Sequence, residues 1–297
     1  MPRSRYDQVY GGREQMDQIS KPIRAKLSYE EVLPEDSRSF STLYNIYAEL
    51  FPLADEREPP EAFFEIAALN SNSAMQRAFG PWREIVSAIR SWQGGPIIGG
   101  HVFGLTTSRA HVEFGCLASV QAIYTFLEAG SRGQGTIGDM RDYLEAEALR
   151  VFGFTAGTMR PLILFEVNNP LRMTNAEIEE DLARSGISPF QRYVFWKRKG
   201  FRPLDFSYVQ PRLRPDAEPV RYLDLFCSAP PGTRIPGAVL KNHLASFISI
   251  SVLKGVAAAE DEEFRKMAAA LDGGSQVGFK SEQSDEQRRI LMRARER

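Results

Sequence analysis

Ile123-Tyr-Thr-Phe-Leu-Glu-Ala-Gly-Ser-Arg-Gly-Gln-Gly-Thr-Ile-Gly138, with the run from Asp139 to Phe152 that follows it, decides the fold. Ile123 to Glu128 is rich in aromatic and β-branched residues and has no helical stripe, so it reads as a strand. Glycines follow. Beyond them Met140, Tyr143, Leu144, Ala148 and Val151 recur at spacings of three and four, with Arg141 and Glu145 set for an i,i+4 pair, which predicts an amphipathic helix.

A strand, a glycine loop and a helix together hold anionic phosphate. Glycine lets the backbone approach closely, and the free N–H groups and dipole of the helix start attract negative charge. Arg132 adds a planar cationic fork beside them. Gly133 to Gly138 fits G-x-G-x-x-G, the dinucleotide pattern, but it lies in mid-chain, and the nearest strand acid, Glu166, falls inside an apolar run instead of at a strand tip.

Read one residue earlier, Arg132-Gly-Gln-Gly resembles the R-x-x-G-x-G/A pyrophosphate loop of the GNAT superfamily of acyl-CoA-dependent N-acetyltransferases. The sixth position of that motif is Ile137 here, where the family has Gly or Ala, and Gly138 is adjacent. A second resemblance lies downstream. Pro189 to Phe201 reads as a helix with cations in its last turn and Gly200 at C′. Its end, Phe195-Trp-Lys-Arg-Lys-Gly-Phe201, is similar to the "FYeklGF" closing the next helix of those proteins.

Composition sets the class. The 297 residues are 43% hydrophobic and 25% charged with a net charge of −1, as in a soluble globular protein with no global pull toward nucleic acid or membrane. No apolar run of about 18 residues and no leader pattern appears, so the expected location is cytoplasmic. Cys116 and Cys227, with three scattered histidines, give no metal-ligand spacing and read as buried thiols; no G-x-S-x-G elbow is present. His101 reads as a core or edge histidine.

Met1 to about Asp36 is polar and aperiodic and is expected to be a flexible arm. Leu43, Ile46, Tyr47, Leu50 and Phe51 make a helical stripe that Pro52 ends, and a second helix follows Pro59-Pro60. The connection from Phe51 to Pro59 resembles the GNAT segment that turns toward the acceptor site. Pro81 to Trp92 gives no clear pattern. Ile97 to Leu105 reads as a strand whose glycines mark a bulge or a close backbone approach, and Val112 to Ala122 is expected to lead into the next strand. Pro161 to Val167 is a buried, parallel strand; Asn175 to Leu182 is helical; Asp205–Val209 and Val220–Cys227 form a hairpin; Ile235 to Leu253 is a helix. From Ala257 on, the chain is expected to be a loosely attached helix and charged tail.

The resemblance implies an α/β fold with a mixed, centrally splayed sheet and helices on both faces over residues 37–255, flanked by the 1–36 arm and the 256–297 tail. It also implies acetyl-CoA as co-substrate, its pantetheine arm on the strand at Leu127 and its pyrophosphate on Arg132, Gly133, Gln134, Gly135, Thr136, Ile137 and Gly138. The implied activity is direct acetyl transfer to the amine of a small molecule or peptide, with no nucleic-acid or membrane partner. Such transfer needs a base for the amine and a proton donor for the departing thiolate. Glu166, and more weakly Glu113 and Glu128, are candidate bases, with a structural Glu166 paired to Arg160 or Arg192 as the alternative. The family's acid is a tyrosine where Trp196 stands; Tyr193, one turn earlier, is the candidate substitute. A non-catalytic acyl-CoA-binding or partner-regulating module, a longer-chain transferase and a nicotinamide oxidoreductase stay open as alternatives. The oligomeric state stays open too, a homodimer included.

Overall fold

The computed structural model describes residues 27–33, 35–51, 57–132, 136–155, 160–212 and 218–295. The chain enters as β1 (Ser28–Glu31) and continues through α1 (Ser37–Leu50), α2 (Pro60–Asn70) and α3 (Ser73–Phe79). Then come β2 (Trp82–Arg90), β3 (Ile97–Thr106), a short α4 (Arg109–Phe114), β4 (Ser119–Leu127), α5 (Ile137–Val151) and β5 (Leu162–Asn168). Next are α6 (Asn175–Ser185), α7 (Pro189–Arg198), β6 (Arg202–Pro203) and β7 (Leu223–Cys227). The remainder holds β8 (Ile235–Pro236), α8 (Gly237–Phe247), α9 (Glu262–Ala270), β9 (Gln276–Val277) and α10 (Asp285–Arg293).

The main sheet runs β1-β2-β3-β4-β5-β7-β6, and only the β4–β5 pair is parallel. Met140, Leu144 and Ala148 give α5 its buried stripe, and Leu144 and Ala148 join Phe190, Tyr193 and Val194 of α7 over Ile163, Phe165 and Val167 of β5. The opposite face takes α1 through Phe40, Leu43 and Tyr47, and α8 through Val239, Leu240 and Leu244. This is the mixed α/β architecture with helices on both faces that the resemblance implied.

The centre of the sheet comes apart for a local reason. Ser119, Val120 and Gln121 pair with Leu162, Ile163 and Leu164, after which β4 runs on to Leu127 and β5 to Asn168 without further pairing. On its other side β4 slips register, Val102 facing Tyr124 and Phe103 facing Ala122, so that Ile123 is the extra residue of a bulge. A bulge bends its strand and increases twist. It sits where β4 leaves β5.

Glycines give β3 its close neighbours, β4 at Gly99 and the β2 indole at Gly104. A Cβ on Gly99 would lie 2.2 Å from the Phe126 carbonyl oxygen, and one on Gly104 would lie 2.0 Å from the Trp82 indole. A buried polar chain fixes the paired end of β4. Ser108 Oγ meets His111 Nδ1 at 2.8 Å and His111 Nε2 meets Ser119 Oγ at 2.9 Å. Ser119 Oγ meets His243 Nδ1 at 2.8 Å, and His243 Nε2 meets Gln121 Oε1 at 3.0 Å. One directed set of donors satisfies all four contacts with both imidazoles neutral.

Five expectations change. Residues 28–31, assigned to the arm, are an edge strand on β2; residues 1–26 lie outside the described residues. Pro81 to Trp92 contains β2, whose buried residues on both faces hide the alternation. Val112 to Phe114 is helical, and the strand starts only at Ser119. The partner of β7 is Arg202–Pro203; from 205–209 onward only the isolated Gln210–Val220 bridge pairs with that arm of the loop. The tail is no appendage: Phe264, Met267 and Leu271 enter the main core, β9 pairs with β8, and Ile290 of α10 is buried with α7.

Because the Gly99 neighbour is backbone, Gly99→Ala has no soft side chain to displace. It is expected to lower stability by about 1–3 kcal/mol, read as a lower urea midpoint; an unchanged midpoint would show that β3 and β4 can separate freely there.

Candidate active site at the parted strands

Where β4 and β5 part, a cavity of about 1030 Å³ opens between the end of β4, the start of α5, and α7, with α10 on its outer side. Thr125, Phe126 and Leu127 form one wall, and Val194, Phe195 and Trp196 the other. Phe51 closes one end, its ring 5.4 Å from that of Tyr124 and 5.0 Å from that of Tyr47. On the cavity side, β4 beyond Gln121 has no strand partner among the described residues, so its main-chain groups short of the Leu127 carbonyl, which Arg132 holds, can meet an extended ligand.

Of the predicted coenzyme loop, Gly133, Gln134 and Gly135 lie outside the described residues. The flanks are in place. Leu127, Arg132 and Ile137 all line the cavity. Arg132 is exposed and its Nε–H donates to the Leu127 carbonyl at 2.9 Å, which ties the loop to the end of β4. Thr136 is buried and makes no capping hydrogen bond to the α5 N–H groups, so among the described residues that positive end has no side-chain cap, with Asp139 the acid in its first turn. Ile137 packs against the cluster of Ile89, Leu127 and Met140, and a Cβ on Gly138 would meet no atom within 4 Å.

Glu166 lacks the arginine partner of its structural alternative. Arg160 reaches Glu145 at 3.8 Å and Arg192 pairs with Asp181. Instead the Tyr208 hydroxyl donates to Glu166 Oε1, with Gln210 Nε2 at 3.5 Å from Oε2. Burial pushes the Glu166 carboxyl up to about 7, against the pull of the Tyr208 bond. Across the gap, burial raises the Tyr124 phenol well above its usual range, with Tyr47, Glu58 and Glu166 adding to the effect. Tyr124 therefore stays protonated and within the electrostatic reach of Glu166; neither side chain lines the large cavity itself, and Tyr124 reaches its lining through the ring of Phe51. The position of Tyr124 in the quoted strand was legible; its role was not, because the bulge at Ile123 changes which face the following residues take.

Tyr193 is not where an acid must be. It is fully buried beneath α7, donates to Asp224 Oδ2 at 2.7 Å and accepts from Gln287 Nε2 at 2.9 Å. Burial and the Asp224 carboxylate drive its phenol far above the ordinary range, and it does not line the cavity. Trp196 lines it instead, packed on Phe165 at 4.8 Å. Glu113 is exposed on α4 and paired with Arg109 at 2.6 Å, and Glu128 is exposed past the end of β4, so neither faces the gap.

Other reactive-looking groups are structural. Cys116 and Cys227 are buried and reduced, their thiols pushed up to about 12 by desolvation. Ser119 sits between two histidines, but it is buried at the paired end of β4 and His243 has Gln121 where a triad would have a carboxylate. Glu84 is buried on β2, is raised to about 7 by desolvation, and accepts from Ser251. Among the described residues no group of histidines, cysteines and carboxylates could hold a metal ion, and no helix is long and apolar enough to cross a membrane.

The strand order, with one parallel pair that parts beyond Gln121 and the glycine loop leading into α5, gives the chain a GNAT-type fold. It leaves no place for the doubly wound parallel sheet of the nicotinamide alternative. No family model and no curated protein matches the chain. Solved structures are similar to it. A putative GNAT-family acetyltransferase from Bacteroides thetaiotaomicron is 14% identical, with 77% of this chain and 99% of that one covered, at a TM-score of 0.44. Arabidopsis thaliana Naa50 in complex with a bisubstrate analogue is 14% identical over 69% and 99%, at 0.36. A spermidine N-acetyltransferase SpeG chimera from Vibrio cholerae and hSSAT is 13% identical over 68% and 93%, at 0.33. These scores lie below 0.5, and the fold assignment rests on the topology above.

The buried titratable groups fix how stability responds to acid. Desolvation lowers His101 and His243 to about 3 and His111 to about 4, from an ordinary 6.5. The unfolded chain binds these protons first, so each histidine removes about 1.4 kcal/mol per pH unit as pH falls from 6.5 to its folded value. Glu84 and Glu166 act in the opposite sense, the folded state taking their protons from about 7 and the unfolded state only from 4.5. Between 6.5 and 4.5 the two carboxylates offset two of the three histidines, leaving a loss of about 1.4 kcal/mol per pH unit; below 4.5 the histidine loss is unopposed, and the lowered carboxyl of Glu286 adds to it. The unfolding free energy should fall gently from pH 6.5 to 4.5 and steeply below 4.5, and an equilibrium urea series that falls as steeply at pH 6 as below 4.5 would contradict this placement.

Proposed function

We propose that the chain is an N-acetyltransferase that moves an acetyl group from acetyl-CoA to the amine of a small molecule or peptide by direct attack. One observation carries the reading: β4 leaves β5 beside a large cavity lined by Arg132 and by Ile137 at the start of α5, a helix whose N-cap Thr136 makes no side-chain cap. An extended pantetheine arm can pair with the free edge of β4 near Leu127, and the pyrophosphate fits the loop 132–138 at the head of α5. The thioester supplies the activated acyl group.

The reaction then needs two proton movements. Glu166, raised to about 7 by burial, takes a proton from the amine, directly or through water, as the N–C bond forms. The C–S bond breaks and the thiolate takes a proton. Tyr124 replaces Tyr193 as candidate donor, since it stands on the part of β4 that has left β5, with its ring against Phe51 of the cavity lining and its phenol protonated. The aromatic end formed by Phe51, Tyr47 and Tyr124 suits a short acyl group over a long one. Trp196 at the family's acid position, with Tyr193 locked away, favours a second reading, an acyl-CoA-binding module without turnover.

Acetyl-CoA is expected to raise the melting temperature while NAD leaves it unchanged, and Arg132→Glu should weaken acetyl-CoA binding by about tenfold or more. In a screen of amine acceptors for CoA release, kcat/KM should rise with pH through about 7 and lose that limb in Glu166→Gln, with kcat lowered about 10²-fold or more. Binding without CoA release across the screen would establish the module instead, and stabilisation by NAD alone would overturn both readings.

A further inference from the structure

The tail assigned to residues 256–297 does more than complete the core. Leu291 of α10, with Ala294 and Arg295 just beyond its end, lines the large cavity that the end of β4 also lines. That lining is held firmly. Ile290 and Gln287 are buried, Gln287 bonds both Tyr193 at 2.9 Å and Lys197 at 3.0 Å, and the Arg293 guanidinium lies 5.0 Å from the centre of the Phe190 ring. Lys280 joins the buried Asp224 at 2.9 Å and Glu286 at 3.0 Å, anchoring the segment that leads into α10.

The charges along this lining are not alike. Lys197 has Glu282 at 3.6 Å to offset it, and Arg184 and Arg192 pair with Glu180 and Asp181. Arg198 and Arg295 are both exposed at the cavity and have no ion pair among the described residues. Trp196 and Leu291 add apolar surface to the same cavity. Apolar side chains that share a cavity with two guanidinium groups having no ion pair among the described residues suit a purine ring that carries a phosphomonoester, because a phosphate dianion accepts the parallel N–H bonds of an arginine fork.

Resting on the coenzyme reading above, we propose that α10 and Arg295, with Arg198, form the subsite for the 3′-phosphoadenosine end of CoA, so that the C-terminal segment sets the choice of CoA over its dephosphorylated form. The two arginines are binding and specificity residues and take no part in the chemistry at Glu166. Their exposure means that replacing them leaves the core intact.

Isothermal titration of the full chain with CoA and with 3′-dephospho-CoA tests this without any turnover. Wild type should bind CoA at least tenfold more tightly than dephospho-CoA. The Arg198→Ala/Arg295→Ala double variant should lose that preference while keeping the wild-type affinity for dephospho-CoA. Equal wild-type affinity for the two ligands, or an undiminished preference in the double variant, would overturn the subsite and leave the coenzyme reading standing. Failure of wild type to bind either ligand would overturn both.

Discussion

One extra residue in β4 governs the centre of this molecule. A parallel pair of strands left to itself would keep pairing to the end of the shorter partner. Here the bulge at Ile123 bends β4 after only Ser119 to Gln121 have met β5. The cost is a row of main-chain donors and acceptors without a strand partner, which folding normally avoids. It is tolerated because both halves are secured elsewhere. Below the parting, the Ser108–His111–Ser119–His243–Gln121 chain ties β4 to α4 and α8. Above it, Phe126 packs with Tyr47 and Phe51, and Arg132 holds the Leu127 carbonyl. A gap with rigid banks is a binding feature; the same gap with loose banks would close.

What the sequence revealed follows the range of the interactions involved. The α5 stripe of Met140, Leu144 and Ala148 is local periodicity, and so is the end of α7, where Gly200 at φ +88 follows the Lys199 cap. Both were legible. The β3 glycines were legible as close approaches, though which strand approached was not. β2 escaped because it lies inside the sheet with helices on both sides, so its buried residues do not alternate. The tail escaped for a different reason. Its attachment rests on pairs such as Lys280 with Asp224 and Gln287 with Tyr193, and no local pattern announces a partner 56 or 94 positions away.

The exchange of Tyr193 for Tyr124 shows where helical spacing stops being informative. Tyr193 and Trp196 are three residues apart, so both face inward from α7. Which one meets the cavity depends on what lies beneath. Asp224 on β7, already bonded to Asn169 and Lys280, offers a buried acceptor to the nearer phenol. That bond draws Tyr193 under the helix and leaves the indole of Trp196 against Phe165 at the cavity wall. A hydroxyl made to serve the core cannot also serve the gap, and the tyrosine on the unpaired part of β4, Tyr124, is the one that remains.

A perturbed acid is not by itself a catalytic one, and the two raised carboxylates make the distinction. Burial lifts Glu84 and Glu166 alike, both to about 7. Glu84, however, lies on β2, two strands from the parting, with the Ser251 hydroxyl on its carboxylate and Lys254 lowering its pKa, and that lysine is itself paired to Glu58 at 3.0 Å. Its surroundings are those of a satisfied core acid. Glu166 lies on the stretch of β5 that β4 has abandoned, and its partners are a phenol and an amide, with no cation among the described residues to hold it ionised. A proton can therefore be gained and lost there near neutral pH without breaking an ion pair. Position next to the parted strands, more than the size of the shift, is what makes Glu166 the candidate base.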